Sequence, residues 1–500
     1  MNKFNLDNVP LDDKDTFDLI GRGLTKGLFQ LESFLARTWC KKIKPRSIEE
    51  LSDVIAIIRP GALQQADNYV AVKNRETDIE YIDRRLAPIL KDTKGILLYQ
   101  EQLIKIVQLL AGFSESEADV VRKMVGKKLM DDLKKVRPKF VNGCMKNGVP
   151  EDKAEELFDI MQESGSYSFN KSHSMAYAIN AYRSAYLKAH YPTVFFWSCL
   201  RCAKLKQHQQ TEIEEVYWDM KNFGIELLPP TIKEINKDFE IVDENTIAFG
   251  ITSIKGIGES GVSKFSYLEK CSGWREALHC IFHKKLSKAK VEPLIKSGTF
   301  DCFGTTRSKM MAEYNFIKSL STKQLEIFMH FFDQNKHAVL TDLLEKVSEE
   351  NKRLKIGKKT EEAIKMLEIC VEKDYNLTKD ILERKYLGIN LTSTRVDDIL
   401  DEDIDSTCSS VMNAVSGNMC VMGVLESVNK IKTKREKKEM AFIEISDMTQ
   451  KLSNIVVFNE VFMKAYYDDY LLRELEQEVL KLDGYKKEDS FIVTNITKVG

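Results

Sequence analysis

The sequence predicts a multidomain, predominantly α chain that closes with a small β-barrel. Three observations lead there. Its 500 residues suffice for about three or four domains, each able to bury its own core. Capped helical stretches occupy the region up to His190. The end of the chain carries five short β-rich runs, 420–425, 440–445, 455–458, 478–482 and 491–496, separated by turns or charge.

Composition narrows the class. Hydrophobic residues make up 43% and charged residues 30%, the balance of a soluble globular protein. No run of about 18 apolar residues exists, so no membrane span is expected. Met1-Asn2-Lys3 leads into no apolar signal segment, which makes the cytoplasm the expected location. Ten cysteines lack the rhythm of a disulfide framework. Cys199 and Cys202 stand far along the chain from His279, Cys280 and His283, and cysteines in an apolar stretch read as small hydrophobes. No metal site is expected.

In chain order, Ser114-Glu115-Ser116-Glu117 has the form of a capping box and opens a helix through Val120, Val121 and Met124 that breaks at Gly126. That helix delivers Arg122, Lys123, Lys127 and Lys128. Between Arg122 and Lys146 stand nine basic residues and only two acids, Asp131 and Asp132, in a chain of net charge −1. Such an excess points to a polyanion, although a solvated helix face is its commoner cause. Next, Tyr167 to Tyr177 sets Asn170, Lys171, Ser172 and His173 at the mouth of a helix running to His190 and stopped by Pro192. Unpaired first-turn amides and the positive end of the macrodipole suit a phosphate there, and an ordinary helix cap is the alternative.

Farther on, Phe239–Val242 and Thr246–Phe249 read as a strand pair. The Gly256-x-Gly258 turn in Ile254-Lys255-Gly256-Ile257-Gly258-Glu259 reads as a helix-hairpin-helix whose amides reach a DNA phosphate without reading bases. A degenerate second hairpin fits Val291 to Asp301. The terminal strands, with a helix-like insert over Glu460–Leu475, suit an OB-fold with a basic hairpin at Lys430–Lys438. Phe442 and Phe458 fit either base stacking or the barrel core.

Six blocks carry a family resemblance: Gly27–Ser33, Arg59-Pro60-Gly61, Leu98–Gln102, Val121–Lys128, Phe169–Ser174 and Tyr186–Pro192. In that order they resemble the fingers of the bacterial C-family replicative DNA polymerases, the DNA polymerase III alpha subunits. Departures are Ser166 and Ser168 where the family has glycines, Lys123 in place of the second arginine of a pair, and Ala62-Leu63 where the family has Pro-Met. Serine narrows φ, and lysine keeps charge without the planar fork.

The resemblance implies that Arg122, Lys123, Asn170, Lys171, Ser172, His173 and Tyr177 bind the incoming dNTP. It implies that Lys127, Lys128, Lys255, Gly256, Gly258, Lys432, Lys434 and Arg435 contact primer–template DNA. Gln324-Leu325-Glu326-Ile327-Phe328 resembles the family's sliding-clamp peptide, with Gln324, Leu325, Ile327 and Phe328 as contacts. The alternative is a core stripe through Phe316, Leu320, Ile327 and Phe331. The family's palm aspartates, which hold Mg²⁺, have no counterpart, since Asp13/Asp15 and Asp401/Asp403/Asp405 lie in polar acidic stretches that read as solvated loops.

The expected organisation is a palm-to-fingers connection (1–45), fingers (46–205), a linker with short strands (206–245), a helix-hairpin-helix region (246–305), a helical linker with the clamp peptide (306–415) and an OB-fold (416–500). The expected function is the fingers and DNA-binding portion of a DNA-directed DNA polymerase, inactive alone, with Mg²⁺ and catalysis supplied by a palm- and PHP-bearing partner chain. A non-catalytic, clamp-tethered DNA-binding accessory protein is the other reading.

Overall fold

The computed structural model describes residues 5–499 except 60, 165–167, 354, 370–375, 393–403, 405, 434–436, 448, 469–471 and 473–478. The chain divides into two compact units, Met1–Phe195 and Phe196–Gly500.

The first unit is helical. Its elements are α1 (Lys14–Gly21), α2 (Phe34–Ile43), α3 (Ile48–Ile57), α4 (Ala66–Lys73) and the short α5 (Ala87–Leu90). Then come α6 (Gln100–Ala111), α7 (Glu115–Gly126), α8 (Met130–Lys146), α9 (Glu151–Ser164) and α10 (Lys171–His190). The helix α11 (Pro192–Cys202) starts on its proline, where the missing N–H costs nothing.

Two packing centres organise this unit. In one, α6 to α9 bury Leu103, Ile106, Leu110, Val121, Phe140, Leu157 and Phe158 together. In the other, α3 buries eight of its ten residues, the polar Ser52 and Asp53 among them, and leaves Glu49 and Glu50 at its first turn less covered. It packs on α10, whose Ala178, Ala181 and Ala185 are small enough for close approach. The ammonium of Lys188, fully buried on α10, donates to the carbonyls of Leu24 and Lys26 at 2.8 Å each. Asp13 caps α1 and accepts from Thr16, so Asp13 and Asp15 belong to a helix start rather than the solvated loop expected of them.

The second unit continues with α12 (Gln209–Lys221) and a three-stranded sheet of β1 (Glu226–Leu228), β2 (Glu240–Asp243) and β3 (Thr246–Ala248) in the order β1-β3-β2. The stretch 206–245, expected as a linker with short strands, holds α12 and β1 besides the expected strand β2, because Ile213, Val216, Met220 and Leu227 all have a core to enter. Then come α13 (Glu259–Val262), α14 (Trp274–His283), α15 (Lys288–Lys296), α16 (Arg307–Ser319), α17 (Thr322–Gln334) and α18 (Leu340–Glu350). The next helices are α19 (Lys358–Ile369), α20 (Asn376–Leu387) and α21 (Cys408–Asn413). On α20, buried Glu383 accepts from Arg307 at 2.7 Å and Arg384 pairs with Glu426 at 2.7 Å, tying α16 and the barrel to the same helix.

The barrel comprises β4 (Ser416–Lys432), β5 (Glu439–Ser446), β6 (Lys451–Val457), α22 (Asn459–Met463), β7 (Val479–Lys487) and β8 (Ser490–Lys498). It closes in the order β4-β5-β6-β8-β7, with β6 and β8 parallel and every other recorded pair antiparallel. This five-stranded closed sheet, with a helix between its third and fourth strands, is OB-like. Its first strand is much longer than the alternating pattern suggested because β4 pairs with both β5 and β7. At the β7 bulge, a Cβ on Gly484 would stand 2.3 Å from the Ile492 carbonyl oxygen, so only glycine fits.

Candidate nucleotide and nucleic-acid interface

The candidate corner forms where two sequence blocks meet. Phe169 N–H donates to Leu98 O and Gln100 N–H to Phe169 O, both at 2.9 Å, making a one-residue parallel bridge between Tyr99 and Phe169. Each polar residue of Tyr99–Gln102 then has a task. The Tyr99 hydroxyl donates to Asp53 at 2.7 Å. Gln100 accepts from Arg122 at 3.2 Å. Glu101 receives the Lys171 N–H at 3.1 Å and the Asn170 side-chain amide at 3.0 Å. Gln102, buried, accepts from the N–H groups of Leu98 and Tyr99.

The mouth of α10 is therefore already capped. Asn170 accepts the His173 N–H at 2.8 Å and Glu101 takes the Lys171 N–H. The expected open nest of amides is absent here because a side chain 70 residues upstream fills it. What faces outward instead is side-chain chemistry: Asn170, Lys171, Ser172 and His173 are all exposed. His173 lies 4.0 Å from the Tyr177 ring and 5.2 Å from Phe169, and Tyr177 meets Phe29 at 5.0 Å. Arg59 stacks on the other partner of this ladder, its guanidinium 3.2 Å from the Phe169 ring centroid. Burial lowers the Arg59 pKa.

On α7, Arg122 bonds Asp119 at 2.8 Å and Lys123 bonds it at 2.7 Å. The Lys123 and Arg122 side chains hold the Asp119 carboxyl below its ordinary value. Much of the basic run that follows is also paired: Lys134 with Asp131, Lys135 with Asp132, Lys139 with Glu117, and Arg137 with both Glu155 and Asp159. Among the described residues, Lys127, Lys128 and Lys146 enter no ion pair. Lys127 and Lys128 are exposed on the turn after α7, where Lys128 adopts φ +55°.

Sequence reasoning missed the layer beneath. Asp53 is 4% exposed, and the hydroxyls of Tyr69 and Tyr99 donate to its two oxygens at 2.8 and 2.7 Å. Burial pushes its carboxyl up to about 7, against the lowering effect of those hydrogen bonds and of Lys94 and Lys171. Ser174 on α10 donates to Ser52 O at 2.8 Å, and the Lys171 ammonium lies 5.7 Å from the Tyr99 ring. The available signal was an acid placed directly before the apolar run 54–58.

In the second unit, Gly256 turns at φ +93°, and a Cβ there would sit 3.3 Å from Pro293. Lys290 donates to the Gly256 carbonyl at 3.0 Å. Lys255, Gly256 and Gly258 are exposed, and α13 behind them is one turn long. The turn at Gly298 is closed by Arg307, which bonds Asp301 at 2.6 Å.

Residues 1–148 match the family model for the bacterial DNA polymerase III alpha subunit finger domain, and 224–310 match a helix-hairpin-helix motif. The alpha subunit of Aquifex aeolicus is 38% identical over 331 residues, 65% of this chain and 28% of the relative. That of Buchnera aphidicola is 30% identical over 482 residues, 92% of this chain and 39% of the relative. That of Escherichia coli K12 is 35% identical over 314 residues, 61% and 27% respectively. Over these portions the chain is similar to the DNA polymerase III alpha subunits. It spans between about a quarter and two fifths of the length of these curated relatives.

Against the alpha-subunit pattern, the clamp-peptide assignment needs correction. Gln324 to Phe328 lie inside α17, opened by Ser321 with Gln324 as its capping partner. Gln324 is 4% exposed and Phe328 fully buried, stacked edge-on to Phe316 and beside Phe332, while Leu325 and Ile327 are half-buried. An anchor residue already filling its own core is not available to a clamp pocket. The core stripe runs through Phe328 and Phe332, one position beyond the Ile327 and Phe331 stripe expected.

On the OB-like barrel, Phe442 and Phe458 are 37% and 49% exposed, which places both rings outside the core. Lys432 pairs with Glu439 at 3.4 Å, and Lys430 lies 3.6 Å from the Tyr466 ring. Lys434 and Arg435 lie outside the described residues, as do Ser166, Asp401, Asp403 and Asp405. Among the described residues no group of three or more His, Cys, Asp or Glu side chains could hold a metal. The His279 side chain is instead bonded to Asp333. The donor set among the described residues does not fit the Mg²⁺ of a polymerase centre. No helix among the described residues is long and apolar enough to cross a membrane.

Proposed function

We propose that this chain serves as the fingers and DNA-binding portion of a DNA-directed DNA polymerase in the cytoplasm, with palm carboxylates and their Mg²⁺ supplied from outside these 500 residues. The observation that carries the reading is the corner in which exposed Lys171 and His173 adjoin the Phe29–Tyr177–His173–Phe169 ladder, with Arg122 held to the same Gln100 that bridges to Phe169. Such a surface offers cations to a triphosphate and flat faces to a base. Arg122, Lys123 and Lys171 would meet the phosphate charge. His173 and Tyr177 would steady the nucleotide, and Asn170 and Ser172 would line its path.

Lys127 and Lys128, the Lys255–Gly258 turn and the barrel cation Lys432 would contact the DNA backbone. Contacts of that kind fix position without reading sequence. Primer–template affinity should thus fall steeply between low and moderate salt and vary little with sequence. Primer extension by the chain mixed with a palm-bearing alpha-subunit portion is the decisive experiment. Restored extension supports the reading, and robust metal-dependent extension by the chain alone overturns it.

A further inference from the structure

We infer that Glu101 is a built-in competitor for the incoming triphosphate, an affinity-setting carboxylate that must leave the mouth of α10 before phosphate can use it. The inference rests on the nucleotide-binding reading above. Glu101 stands at the start of α6, yet both its oxygens accept the Lys171 N–H at 3.1 Å, and one accepts the Asn170 amide at 3.0 Å. An anion is therefore seated where the positive end of a 20-residue helix favours one.

The Asp119 pairs with Arg122 and Lys123 are different in kind. They join residues three and four apart on one exposed helix, a spacing that forms wherever such residues occur. The Glu101 contact spans 70 residues and exists only because the Tyr99–Phe169 bridge brings the two blocks together. While Glu101 holds this position, its charge opposes a triphosphate approaching Lys171 and His173. Once displaced, it leaves the Lys171 N–H and the Asn170 amide as donors to a phosphate oxygen.

The test is calorimetric titration of the full chain with dATP and, separately, with inorganic tripolyphosphate, for the wild type, Glu101→Gln, Arg122→Ala and Glu151→Gln. Glutamine keeps the size and one acceptor of the cap while removing the charge. The neutralised exposed acid at the start of α9 controls for net charge, and circular dichroism confirms the fold of each variant. Glu101→Gln should bind both probes about tenfold more tightly, with Glu151→Gln unchanged. Unchanged or weaker binding by Glu101→Gln, with Arg122→Ala still weakened, overturns this inference and leaves the nucleotide site standing. Equal tightening by both glutamine variants also overturns it, as a general charge effect. Absence of binding by wild type and Glu101→Gln alike overturns the nucleotide reading itself.

Discussion

The openings of α10 and α17 use the same chemistry and end in opposite places. Asn170 caps one through the His173 N–H, and Ser321 caps the other through the Gln324 N–H. Past the cap, α10 turns Lys171, Ser172 and His173 outward, whereas α17 buries Gln324 and then Phe328. A capped first turn says where a helix begins. Which face its next residues present depends on what lies against it: Ser52 and Ala-lined contacts inside α10, Phe316 and Phe332 around Phe328.

That contrast breaks first if Phe328→Ala is tolerated. Removing a fully buried phenyl ring from this cluster should cost about 3–5 kcal/mol in chemical denaturation of the chain. His173→Ala at the exposed opening should change stability by less than about 0.5 kcal/mol.

The layer beneath α10 makes a pH test. The Asp53 pKa is raised from 3.8 to about 7, so its contribution to stability is fully present below about pH 4 and is lost as pH rises through 7. Over that window the wild type should lose at most about 4 kcal/mol through this group, and Asp53→Asn should flatten the profile. An unchanged pH profile in the asparagine variant would remove Asp53 from the account.

For function, Arg122→Ala should slow extension by the reconstituted enzyme by roughly 3 kcal/mol in barrier, with DNA binding little altered. Finally, Asn170→Ala and Ser321→Ala should each cost about 1 kcal/mol, since the lost cap bond is alike. A markedly larger cost at Asn170 would show that its bond to Glu101 adds to the cap.

Elements governed by local chemistry were legible in the chain. The capping box at Ser114 and the stop before Pro192 appear where expected, and so do the five terminal strands. The placement of Asn170, Lys171 and His173 at a helix start was legible as well, because capping acts within one turn. Glu101 was not, since its partners lie 70 residues away, and neither was the Asp53–Tyr69–Tyr99 layer, drawn from three separate segments. The β1–β3 pairing was hidden by the brevity of its three-residue strands, and α12 by the polar Gln209–Glu215 half of its sequence.

By itself, then, the sequence determined helix starts, strand alternation and the residue types at the opening of α10, because capping, proline and period-two patterning act within a few residues. Only the tertiary structure decided that Phe328 enters a core while His173 faces out, and that a distant carboxylate fills the mouth of α10. Burial and pairing depend on which surfaces meet, and a segment does not encode its own neighbours.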